Sequence, residues 1–151
     1  MKRGAYCSSA LRGAIVAAFT WSTFQASAGL LPFPLSADQQ GQVHCLEKPV
    51  VAYDVYLPPA YSTNGPALPI LYTFNPDGGG MVASFKLVCS NQNIICVGIL
   101  GVNNSASSDI FMRECAAATR DIRLRVLFDP TAEFAGGFSG GGLAAYVFSR
   151  F

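Results

Sequence analysis

The sequence predicts an α/β fold built on a mostly parallel sheet with helices on both faces. Three observations carry that expectation. Residues 68–74 and 94–100 are short, nearly continuous apolar runs, the pattern of strands buried on both faces of a sheet. Each is followed by a segment whose apolar residues recur at helical spacing. A third short run, residues 131–138, leads through a glycine-rich junction into a small-residue helix, so strands and helices alternate.

The chain opens with Lys2, Arg3 and Arg12 around the apolar run 13–19, and Ala26-Ser27-Ala28 follows with small residues at cleavage spacing. Residues 1–28 therefore read as a secretory signal peptide cut near Ala28, and the run is shorter than the roughly 20 apolar residues a membrane anchor needs. The expected location is secreted or periplasmic, with no stable membrane anchor. Residues 29–49, with Pro32, Pro34 and Gly41, read as an extended lead-in, and 50–151 as the folded domain.

Residues 50–57 are dense in Val and Tyr and end at Pro58-Pro59, which marks a strand. The turn cluster 61–66 would let this strand and 68–74 lie as antiparallel neighbours. Asn75-Pro76-Asp77-Gly78-Gly79-Gly80 interrupts regular structure, and 81–90 reads as a helix with Met81, Phe85 and Val88 on one face. After the 94–100 strand comes the polar loop 101–108. Its Ser108 is placed to cap a helix reaching about Val126, with Asp109 in the first turn. Ile110, Cys115, Ala118 and Ile122 share that helix's apolar face, while Arg113, Arg120 and Arg123 face water. Asp129-Pro130 ends it, residues 131–138 form a strand, and 140–148 form the last helix.

Half of the 151 residues are hydrophobic and 13% are charged, which excludes a disordered chain. Removing residues 1–28 removes three cations and no anions, so the net charge moves from +1 to −2 and no nucleic-acid partner is expected. Cys45, Cys89, Cys96 and Cys115 remain after cleavage. An even number in an exported chain permits two disulfides in three pairings, and buried free thiols are the alternative. No C-x-x-C pair or cofactor fingerprint occurs, so neither metal nor cofactor is expected.

Gly137-Phe138-Ser139-Gly140-Gly141 matches G-x-S-x-G at a strand-to-helix junction, and this marks Ser139 as the candidate nucleophile. A sharp turn there lifts the hydroxyl clear of the sheet, and the positions two before and two after must be small to avoid backbone. The helix starting at Gly140 aims amide groups and a positive dipole end beside Ser139. The upstream glycine loop supplies a second candidate donor for an oxyanion, the amide of Asp77 or of Gly78, alongside Gly140.

Several motifs then fall in a familiar order: 52–61, 68–72, the glycine loop, Asp129-Pro130-Thr131 and Gly137-Phe138-Ser139-Gly140-Gly141. Together they resemble the esterase branch of the α/β-hydrolase superfamily, which includes esterase D-like, feruloyl esterase-like and polyhydroxybutyrate depolymerase-like enzymes. The resemblance spans about residues 50–151. It implies a serine carboxylic-ester hydrolase working through an acyl-enzyme on a small-molecule or polymeric ester. Ser139 would be the nucleophile and Gly140 an oxyanion donor. The chain departs from the pattern at Asn75-Pro76, where that branch has His-Gly.

In that fold the acid and the histidine follow the nucleophile along the chain. None of the twelve residues after Ser139 is Asp, Glu or His. The only histidine, His44, precedes the strong strands and reads as a surface or packing residue. Asp129 and Glu133 likewise precede the serine. The expectation is a partial α/β-hydrolase fold truncated after the nucleophile helix, and a fragment that is itself inactive. Two alternatives stand beside it: a non-catalytic exported binding domain on the same scaffold, and a peptidase or acyltransferase when complete.

Overall fold

The computed structural model describes residues 29–150; the expected signal peptide, its cleavage point and Cys7 lie outside the described residues. The strands are β1 (Gln40–His44), β2 (Ala52–Tyr56), β3 (Leu68–Phe74), β4 (Asp77–Gly79), β5 (Ile95–Asn103) and β6 (Phe128–Gly137). The helices are α1 (Val82–Gln92), α2 (Ser108–Arg125) and α3 (Gly140–Phe148). The main sheet runs β1-β2-β5-β3-β6, and β4 pairs with the end of β5.

The sheet is mixed. β5, β3 and β6 are parallel, joined by crossovers through α1 and α2, while β1 and β2 add antiparallel strands on the β5 side. The expectation that the strands around the 61–66 turn cluster would pair is therefore corrected. β5 lies between β2 and β3, pairing Tyr53 with Ile99 on one side and Ile70 with Ile95 on the other. A local turn signal loses here to burial, because Val97 and Ile99 are fully enclosed in the centre of the sheet.

From β3 the chain moves to β5 on one side and then returns across β3 to β6 on the other. Both crossovers join parallel strands, so this change of direction places α1 and α2 on opposite faces. α1 covers a small cluster of Tyr56, Val82, Cys89 and Cys96. α2 and α3 cover the larger one, in which Ile70, Tyr72, Phe74, Ile95, Val97 and Ile99 are fully buried. The buried residues of α1 are Val82 and Cys89, one position round from the expected face, and Val88 is exposed. α2 buries the expected Cys115, Ala118 and Ile122, but its cap is Ser107, whose hydroxyl accepts from the Ile110 amide at 3.3 Å.

Residues 29–49, expected as an extended lead-in, carry the strand β1 and pack onto the domain. β1 pairs with β2 along its whole length, and the Leu31 amide donates to the Leu124 carbonyl. Arg125 anchors this segment from below: its Nε donates to the Pro32 carbonyl and its Nη1 to the carboxylate of Asp121 at 2.9 Å. Asp121 also accepts from the Tyr53 hydroxyl and the Leu46 amide, so a buried ion pair is fully hydrogen-bonded. Cys45, Cys89, Cys96 and Cys115 are all buried free thiols. Among the described residues no helix is long and apolar enough to cross a membrane.

Candidate active site

β3 and β6 end together, with Phe74 opposite Gly137, and both chains turn out of the sheet at this carboxyl edge. In parallel α/β sheets this edge, where successive crossovers depart in opposite directions, is where ligands bind. After Gly137, Phe138 and Ser139 make a tight turn and α3 begins at Gly140.

Ser139 has φ 51° and ψ −122°, a left-handed conformation that side chains rarely adopt. Such a residue costs on the order of 1–3 kcal/mol and persists only where its surroundings enforce it. The surroundings here are two glycines. A Cβ on Gly137 would strike the Gly141 carbonyl and stand 2.7 Å from the Phe74 oxygen. A Cβ on Gly141 would strike the Phe74 oxygen and stand 2.7 Å from the Phe74 carbonyl carbon. All of these obstacles are backbone, so no rotamer change relieves them. The spacing noted in the sequence is a three-way backbone contact between β6, α3 and the end of β3.

The Ser139 side chain is exposed and makes no hydrogen bond to a described residue. The Gly141 amide turns back to the Phe138 carbonyl at 2.8 Å and the Gly142 amide to the Ser139 carbonyl at 2.9 Å. The Gly140 amide, the first of the helix, has no acceptor within it. It is the donor that the turn leaves beside the serine.

The glycine loop forms the short strand β4 rather than an irregular turn. Gly78 and Gly80 have φ of 82° and 68°, and a Cβ on Gly80 would lie 2.9 Å from the Gly98 Cα. The run of glycines is thus needed to lay the loop against β5. The Gly78 amide donates to the Asn75 carbonyl at 2.9 Å and is occupied within the loop. Asp77 differs. The Asn104 amide donates to the Pro76 carbonyl, so the next pair, Asp77 opposite Asn103, is the non-hydrogen-bonded kind and its amide points away from β5. Of the two candidate donors in this loop, Asp77 is the one left available. Its carboxylate accepts from the Gly79 amide and stays within the loop.

Beside Gly140 opens a cleft of about 500 Å³ between the start of α2 and α3. Asn75, Pro76 and Asn104 form one rim; Phe111, Met112, Leu143 and Val147 form apolar walls. Gly140 and Gly141, the two residues that follow Ser139, line the cleft. Asn104 is the residue that sequence reasoning placed in a loop without a role. Its carboxamide lies against Gly140 and would be displaced by a Cβ there. The only sequence signal for it is its place at the carboxyl end of a buried parallel strand.

Among the described residues, no imidazole or carboxylate is hydrogen-bonded to the Ser139 hydroxyl. His44 is exposed on β1, at the opposite edge of the sheet, with Nδ1–H donating to the Pro49 carbonyl at 2.7 Å. Four strand spacings of about 4.8 Å put it about 19 Å from β6. Glu133 is occupied by Arg123 at 2.7 Å and by the Tyr72 hydroxyl at 3.1 Å. Asp129 sits at the start of β6, the other end of the strand, with its carboxyl held below the usual range by two hydrogen bonds from Thr131. No group of three or more metal-ligating side chains is present among the described residues. A scan of protein-family models finds no match to this chain, and a search of curated proteins finds none either.

Proposed function

We propose that this chain carries the nucleophile and oxyanion hole of an exported serine hydrolase acting on carboxylic esters through an acyl-enzyme. The observation that carries the reading is the strained turn at Ser139, enforced from both sides by glycines whose Cβ positions are occupied by backbone. Strain of that kind concentrates at sites where a side chain has to be presented. The hydroxyl of Ser139 would attack the ester carbonyl, and the oxygen that becomes negative would be held by the Gly140 amide and the α3 dipole. Such a donor contributes about 3–4 kcal/mol to a transition state. The Asp77 amide is the second donor in this reading. The apolar cleft beside Gly140 is suited to the acyl or alkyl part of the ester.

Attack also requires a base to take the hydroxyl proton, and no described imidazole or carboxylate is placed to do so. His44, on β1 at the opposite edge of the sheet, is too far from Ser139 to serve. The reading therefore has the described residues binding and polarising an ester without turning it over. The same lack of a base favours, as a second reading, an exported binding domain on this scaffold.

The test has two arms. Hydrolysis of a p-nitrophenyl ester by the 151-residue chain is expected to equal that of Ser139→Ala; a large Ser139-dependent rate would overturn the missing-base argument. Reading the coding sequence beyond Phe151 separates the two functions. A late histidine preceded by an acidic residue supports the hydrolase, and a stop codon in an intact gene supports the binding domain.

A further inference from the structure

Among the described residues β6 has a strand neighbour on one side only, β3, and its other side presents backbone donors and acceptors to solvent. The features that usually protect such an edge are confined to its start. Pro130 lies there, whereas residues 131–137 contain no proline, lysine or arginine. Their single charge, Glu133, is neutralised by Arg123 at 2.7 Å. Both faces beside this edge are apolar. Phe134 lies beside Leu71 on the face that α1 covers, but α1 packs over β5 and β2 and leaves Phe134 exposed. Strand alternation puts Phe138, at the end of β6, on the same face. On the other face α3 rests over β6 and β3. Its Leu143, Ala144 and Val147 line the cleft toward α2. At about 100° per residue, Gly142, Tyr146 and Ser149 therefore point the opposite way, toward the free edge.

We infer that this edge joins a second copy of the chain, β6 against β6 in antiparallel order about a two-fold axis at Gly136, so that two sheets become one. The surface is complementary to itself. That axis sets each Phe134 opposite the other copy's Phe138, and aromatic pairs across antiparallel strands are favourable. Glu133 falls opposite Ser139, so no like charges meet along the strands. The helices fit the same axis. Because α3 lies over β6 and β3, its copy lies two strand spacings away, about 10 Å, which is the separation of packed helices. Gly142 and Ser149 are small enough for that approach, and Tyr146 covers them. Phe134, Phe138 and Tyr146 are 54–67% exposed and offer about 200 Å² each, so they bring roughly 350 Å² per copy. The strand backbones and the facing sides of α3 supply the rest of the roughly 1,000 Å² that a specific interface needs. A two-fold contact uses the same patch on both copies and closes at two. The clefts, on the α2 side of α3, stay open.

The experiment is light scattering on the size-fractionated 151-residue chain at several micromolar concentrations. The expected mass is twice that of one chain at each concentration. Phe134→Glu and Tyr146→Glu place a carboxylate in the contact on opposite faces of the sheet, and each is expected to halve the mass while keeping the wild-type circular dichroism; if one fails to fold, the other decides. Leu87→Glu changes an equally exposed apolar residue on the outer side of α1 and should leave the dimer intact. A wild-type mass of one chain, masses that climb past two chains with concentration, a dimer that survives either edge substitution in a folded variant, or its loss in Leu87→Glu would each overturn the proposed contact. None of these readouts depends on Ser139 acting as a nucleophile.

Discussion

Replacing Gly141 with alanine tests the contact on which the serine turn rests. The added Cβ would strike the Phe74 oxygen and lie 2.7 Å from the Phe74 carbonyl carbon and 3.1 Å from the Asn75 Cα. Relief requires α3 to move off the end of β3 by roughly 1 Å, since ordinary carbon contacts lie at about 3.5–4 Å. Overpacking of this kind costs about 1–3 kcal/mol, and backbone on both sides puts this case at about 3 kcal/mol. Gly142 is the control, one residue on in the same helix. Its Cβ would meet the Gly137 oxygen at 3.5 Å, an ordinary contact, and alanine would gain about 0.5–1 kcal/mol of helix propensity. The two variants should therefore separate by about 4 kcal/mol. Urea unfolding followed by circular dichroism reads this as a fall in midpoint for Gly141→Ala and a small rise for Gly142→Ala, at similar slope. Equal midpoints for the two would refute the three-way backbone contact, and with it the structural case for Ser139.

Ser139→Gly should raise stability by about 1 kcal/mol in the same assay, because glycine adopts φ 51° without penalty; a loss of stability would show that the serine is not strained. Asp121→Ala should cost about 3–5 kcal/mol, since it leaves Arg125, with its side chain 7% exposed, as an unpaired buried cation. A change below about 1 kcal/mol would mean the pair is solvated. Stability should also fall in alkali. Burial raises the pKa of Cys45 to about 11 and of Cys115 to about 12, and raises those of Tyr53 and Tyr72. The unfolded chain therefore loses these protons first, so stability is intact below about pH 9 and declines as pH rises toward 11–12. A flat urea midpoint between pH 8 and 11 would contradict that burial.

How much of this was legible follows from how local each feature is. β3 and α3 are set by unbroken apolar or small-residue runs and appear at the expected residues. The Gly137/Gly141 spacing was legible for the same reason: one turn determines it. β1 was not, because Val43 is the only fully buried residue in Gln40–His44 and an edge strand with one anchor has no alternating pattern. β6 starts earlier than expected and runs through Pro130, which an edge strand tolerates at the irregular register between Leu68 and Ile70. The β2–β5 pairing joins residues far apart in sequence and carries no local mark. The same holds for Asn104, whose place on the cleft follows from the Asn104–Pro76 bond between two separate loops.

The location of the serine constrains what can activate it. On its inner side stand β3, the β4 loop and the Asn104 loop, the last two joined by the Asn104–Pro76 hydrogen bond. On the other side β6 is an edge of the described sheet, and around it Phe134, Phe138, Leu143 and Tyr146 are each more than half exposed. An apolar surface of that extent beside a strand edge marks a place where another surface docks. Ser139 thus stands between the cleft walled by Phe111 and Met112 on one side and the exposed apolar edge of β6 and α3 on the other, and a partner for its hydroxyl can approach from either.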